Sequence, residues 1–156
     1  MLHARKPSWW TNSYDIMAGN QLITRWNRSL WRNGGTFALD GHSYTIRANA
    51  WGSKYTMTLG TDRVIAAAER VGRKNWTVQA GGHTYAFQRT SMWRQEEALV
   101  TGGRVTGVIR RVSTWRTDAV ADLPQLEPAV QVFVLAVVLT MWDNAHYAAS
   151  SVTIVS

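Results

Sequence analysis

The stretch PAVQVFVLAVVLTMW, Pro128 to Trp142, decides the fold. Between Ala129 and Trp142 only Gln131 and Thr140 are polar, and Asp143, Asn144 and His146 follow directly. As a helix these fourteen residues reach roughly 21 Å at about 1.5 Å per residue, short of a hydrocarbon core of about 30 Å. The valines at 130, 132, 134, 137 and 138 would suit a buried strand. Strands usually stop near six residues, however, and Pro128 is well placed to begin a helix, whose fixed φ it already has. The expected element is a central helix over 128–149, apolar on every side, which must therefore be covered on every side.

The preceding chain has the opposite deficit. From Phe37 to Val120 the pattern is alternation: Tyr44, Ile46 and Ala48; Tyr55, Met57 and Leu59; Trp76, Val78 and Ala80; Tyr85 and Phe87, each separated by a more polar neighbour. A period of two gives a strand one buried and one wet face. Asp40-Gly41, Gly60-Thr61-Asp62, Gly72-Arg73-Lys74, Gly81-Gly82 and Gly102-Gly103 punctuate these runs with residues suited to tight reversals. GHSYTIR at Gly41–Arg47 returns as GHTYAFQR at Gly82–Arg89, and two similar hairpins of one sheet explain the echo better than a propeller blade does. Ser13–Met17, Ala18-Gly19-Asn20 and Gln21–Trp26 read as an earlier hairpin, residues 1–8 as a loosely held start, and Ser151–Ser156 as a closing strand. Strands with one unpaired face and a helix with no wet face satisfy each other if the sheet closes around the helix. The predicted fold is a mostly-β antiparallel meander barrel of about 10–12 strands enclosing a C-terminal hydrophobic helix, one domain over 1–156.

This order of elements, with its G-x-x-Y-x-I/F pieces and Val130-Gln131-Val132-Phe133 at the start of the apolar helix, resembles the Tubby C-terminal-like superfamily, and within it the LURP-one-related branch that includes the phospholipid scramblases. The resemblance covers nearly the whole chain in pattern, on short motifs. It implies a strand barrel around a hydrophobic helix and a non-catalytic, lipid-linked role. Tubby proteins bind phosphoinositides and have been linked to DNA, and many LURP-one-related members have no assigned activity. No phosphoinositide-binding motif transfers residue by residue, and the proline-rich N-terminus and cysteine run of scramblases are absent, so lipid scrambling is not implied.

Composition narrows the chemistry. The net charge is +7 and the isoelectric point about 10.4. All 17 lysines and arginines lie at or before Arg116, and beyond it stand only the acids Asp118, Asp122, Glu127 and Asp143. A basic body attracts the phosphates of lipid or nucleic acid, although such charge also serves solubility alone. The absence of cysteine excludes thiol catalysis, thiolate metal sites and disulfides. The start has a basic patch but no apolar run after it, so no cleaved secretory signal is expected, and the expected location is cytoplasmic, peripheral to a membrane when bound. There is no nucleophile elbow, phosphate-binding glycine loop or H-E-x-x-H. His42 and His83 flank matching turns without a second ligand nearby, and His146 suits a helix end. Glu96 and Glu97, adjacent on a strand, face opposite ways and cannot act as a pair. Neither an enzyme nor a cofactor is expected.

Nine tryptophans are the other unusual feature. In Arg25-Trp26, Trp31-Arg32, Trp93-Arg94 and Trp115-Arg116 the strand reading is one core aromatic and one wet cation, and the functional reading is a surface that stacks bases or settles among lipid headgroups. Of Trp9 and Trp10, one is expected outside the core. The candidate anion-binding residues are Arg47, Lys54, Arg73, Lys74, Arg110 and Arg111: Arg47 opposes the Tyr44 and Ile46 face, Lys54 leads the next strand, Arg73 and Lys74 crown a turn, and Arg110 and Arg111 lie one on each side of a later strand. Arg47 and Lys54 could share a phosphate if their registers match. The expected partner is an anionic phospholipid or membrane surface met through a basic strand face, with nucleic acid or a protein partner as the alternatives.

Overall fold

A computed structural model describes residues 1–8, 10–29, 34–91, 94–112 and 119–155, with side chains placed as far as residue 145. Twelve strands follow one another as an antiparallel meander: β1 (Leu2–Arg5), β2 (Ser13–Ala18), β3 (Gln21–Arg28), β4 (Gly35–Leu39), β5 (His42–Ala48), β6 (Tyr55–Leu59), β7 (Arg63–Glu69), β8 (Asn75–Ala80), β9 (His83–Ser91), β10 (Glu96–Thr101), β11 (Arg104–Arg111) and β12 (Ala119–Asp122). Each pairs with its sequence neighbours, and β1 closes the barrel on β12 through Leu2↔Ala121, His3↔Val120 and Ala4↔Ala119. Leu2–Arg5 is thus a structural strand, and the expectation of a loosely held start fails there. Backbone pairing on both sides fixes it, which four residues of sequence do not announce.

Helix α1 (Pro128–Val155) fills the closed sheet. Val132 through Leu139 are each at most 1 % exposed, so every side of this segment is covered, as its sequence requires. The covering layer is the inward residue of each alternation: Ile16, Trp26, Phe37, Ile46, Met57, Ala66, Ala68, Trp76, Val78, Phe87, Leu99, Ile109 and Ala121 belong to one core with the helix. Two directly opposed inward pairs stack, Phe37 on Tyr44 with centroids 4.9 Å apart and Trp76 on Phe87 at 4.5 Å. The single buried hydroxyl of this stretch, on Thr140, donates to the Ala136 carbonyl one turn back, 2.8 Å away.

The helix runs further than expected. It has no glycine or proline after Pro128, and it continues through Ser151–Val155 where a closing strand was anticipated. Over 28 residues it is about 42 Å long. Its Pro128–Ala145 portion is long and apolar enough to cross a bilayer, so length does not exclude a span; burial of most of that portion inside the barrel accounts for its composition.

Because the strands alternate in direction, the connections fall at two ends. The glycine end holds the short turns after β2, β4, β6, β8 and β10, together with residues 123–127 leading into α1. Gly41, Gly60, Gly81, Gly82, Gly102 and Gly103 have positive φ there, where the missing Cβ removes the strain, and Asp40, a residue type that tolerates this region, joins them at φ 51°. The loop end holds the longer connections after β1, β3, β5, β7, β9 and β11, and α1 leaves the barrel through it.

Candidate functional surface at the loop end

The two ends differ in charge. Described residues of the loop-end connections include Lys6, Lys54, Arg70, Arg73, Lys74 and Arg94 and no acid. The glycine-end connections include Asp40, Asp62 and Glu127 and no cation. The barrel is thus polarised along its axis, and its loop end is an attractive surface for anions.

Two adjacent loops carry most of that positive charge. In the β5–β6 connection, Asn49 organises the chain: its Oδ1 accepts from the amides of Ser53 (2.9 Å) and Lys54 (3.1 Å), its Nδ2 donates to Ser53 Oγ (3.0 Å), and its carbonyl accepts from the Gly52 amide (3.1 Å). This bracing presents Trp51 at the tip of the loop, 89 % exposed. In the β7–β8 connection, buried Val71 anchors the loop while exposed Arg70, Arg73 and Lys74 project from it. The Val71 amide donates to the Ser53 carbonyl at 2.9 Å and binds the two loops together. Trp10, 70 % exposed, lies on the β1–β2 connection of the same end.

A polar collar lines the mouth where α1 emerges. Arg28 faces inward from β3 and donates to Asp143 (3.1 Å) and Asn144 (2.8 Å), and the Tyr14 hydroxyl donates to Asp143 at 3.0 Å. Arg111 lies over the Trp142 ring, 5.2 Å from its centroid. Tyr55 is 1 % exposed and its hydroxyl has no hydrogen-bond partner; burial raises its pKa to about 12 despite the nearby Arg28 charge. Deeper inside, Glu97 is 1 % exposed and neither carboxyl oxygen makes a hydrogen bond. Arg89 Nε stands 3.9 Å away, an attraction without a hydrogen bond, and the Trp76 indole N–H is nearby without good hydrogen-bond geometry; burial outweighs both and pushes the Glu97 pKa up to about 7.

The structure separates the six sequence-derived candidates. Lys54, Arg73 and Lys74 come together on the two joined loops. Arg47 is exposed on the outer wall opposite Thr56, one diagonal step from Lys54 and on the same face, but Lys54 also meets Glu69 at 3.6 Å. Arg110 stands on β11, six strands from β5 around the ring and so on the opposite wall, with Glu96 directly across from it. Arg111 points into the mouth, because inward and outward positions alternate and Ile109 is already inside. The six candidates are thus divided among the loop end, two opposite walls and the mouth.

Of the tryptophan–arginine pairs, Arg25-Trp26 behaves as read: Trp26 is in the core and Arg25 is outside on Asp15 at 2.7 Å. Trp9, Trp31, Trp93 and Trp115 lie outside the described residues, as do Arg32 and Arg116. His42 and His83 sit on strands separated by three others, and among the described residues no three His, Asp or Glu side chains gather as a metal site. Sequence reading missed Lys6, Arg70 and Arg94 as partners of the loop end. The signal was available in the parity of the connections, since every second loop of a meander falls at the same end. Comparison of the chain with protein-family models, curated proteins and solved structures gives no match.

Proposed function

We propose that this protein is a non-enzymatic module that binds anionic phospholipid surfaces. The observation that carries this reading is the axial polarity of charge, with Lys6, Lys54, Arg70, Arg73, Lys74 and Arg94 on loop-end connections that have no acid among the described residues. Each basic residue near an anionic leaflet contributes about 1 kcal/mol, so several together reach useful affinity without a deep pocket. The twelve-stranded barrel around a hydrophobic helix supports reading the chain as a Tubby C-terminal-like domain of the LURP-one-related branch, whose lipid-linked character agrees with this role.

Sedimentation with anionic and with neutral vesicles at about 0.15 M salt tests the reading, beside a gel shift with DNA and RNA. Binding to anionic vesicles alone is expected. A shift of nucleic acid without vesicle binding overturns the proposal in favour of a nucleic-acid-binding barrel, and binding to neither favours a protein scaffold.

A further inference from the structure

Resting on that reading, we infer that the barrel docks end-on, with Trp51 inserted among the lipid headgroups and Lys54, Arg70, Arg73 and Lys74 gripping phosphates around it. A large aromatic side chain held 89 % in water contributes nothing to the core, whereas Trp26, Trp76 and Trp142 are all buried. The loop that holds it is not slack. Five hydrogen bonds involving Asn49, three accepted and two donated, and one from the Val71 amide to the Ser53 carbonyl fix its shape, so little conformational freedom is lost on docking.

The neighbouring β7–β8 loop supplies cations in the right place. Arg70 has a left-handed backbone, φ 61°, and the Arg73 amide donates to the Arg70 carbonyl at 3.2 Å, giving a tight turn beside the Trp51 loop. Arg89 reinforces it from below by donating to the Gly72 carbonyl at 3.1 Å. An indole prefers the headgroup layer, where its ring leaves water while its N–H stays hydrated, and surrounding cations meet lipid phosphates at the same depth. A wall-on orientation lacks this combination, because the wall cations Arg47 and Arg110 are on opposite walls. The occupant that fits a projecting indole ringed by cations is an anionic bilayer surface.

The test uses the full chain with vesicles of phosphatidylcholine alone or with about 30 % phosphatidylserine. Trp51→Ala is expected to weaken partitioning on the order of tenfold. Arg73→Glu with Lys74→Glu should weaken it by more than tenfold, at roughly fivefold for each lost cation and more for reversal. The wall pair Arg47→Glu with Arg110→Glu should weaken it less. Brominated acyl chains should quench the wild type more than Trp51→Phe, a variant that keeps a ring in the loop, with circular dichroism showing both folded. Loss of binding by the wall pair with unchanged binding by the loop variants overturns end-on docking and leaves lipid binding intact. Equal quenching of wild type and Trp51→Phe also overturns insertion. A wild type that ignores anionic vesicles removes the functional reading itself.

Discussion

Replacing Glu97 by Gln isolates the cost of a carboxyl group sealed inside the barrel. Glu97 is opposite Ile109 on β11 and Arg89 on β9, and its carboxyl is shielded from water, with the Arg89 guanidinium and the Trp76 indole N–H beside it but neither in good hydrogen-bond geometry, so burial outweighs both. Its pKa rises from 4.5 in an unfolded chain to about 7 in the fold. Between those values the folded state keeps a proton that the unfolded state has released, so stability falls as pH rises through this window. At about 1.4 kcal/mol per pH unit the full penalty is about 3 kcal/mol above pH 7 and disappears below the unfolded value. Gln has nearly the same shape and cannot ionise. The variant should therefore match the wild type near pH 4 and exceed its stability by up to about 3 kcal/mol near pH 8. Urea unfolding followed by circular dichroism from about pH 4 to about pH 8 measures the difference, in which histidines common to both proteins cancel. Two parallel pH–stability curves would refute the reasoning, since they would mean that the carboxyl is hydrated in the folded chain.

Asp143→Ala should destabilise by about 3 kcal/mol, because it leaves Arg28 and Tyr14 facing the helix without their shared acceptor; thermal unfolding checks this, and a change below about 0.5 kcal/mol would remove the collar as a structural device. Tyr55→Phe should be neutral or stabilise by up to about 1 kcal/mol, since it deletes a buried hydroxyl that makes no hydrogen bond; denaturant midpoints that fall instead would reveal a partner. Gly35→Ala should impair folding, because a Cβ there runs into the Asn27 carbonyl and comes within 2.8 Å of the Trp26 ring. Soluble expression and the circular dichroism spectrum of that variant report the outcome.

Much of the barrel is legible in the chain because period-two runs are long enough to declare their inner face. Trp76 and Val78, Tyr55 and Met57, and Ile46 with Arg47 outside all fall where alternation puts them. The helix is legible from the same logic inverted: fourteen residues with no wet side demand an enclosure, and Val132–Leu139 are enclosed. Leu2–Arg5 is not legible because four residues show little alternation of their own, and one of the two strands that hold it lies more than 110 residues away. Ser151–Val155 misleads because its β-branched alternation is a weak local preference, overridden where nothing breaks a helix already under way. The candidate surface was only half legible. Residue types named Arg73 and Lys74, but the direction of Arg111 and the separation of Arg47 from Arg110 follow from register and ring order, which single strands do not reveal.

The seam between β1 and β12 has a consequence for biosynthesis. While the chain emerges, Leu2–Arg5 must wait for Ala119–Asp122, and the hollow left by twelve strands has no filling until Pro128 and the residues after it are made. A nascent chain stalled before β12 exposes two raw sheet edges, and one stalled before Pro128 leaves an apolar lumen unfilled, both hazards for self-association. Such non-local closure favours slow folding, because the ends of the chain must meet before the seam contacts can form.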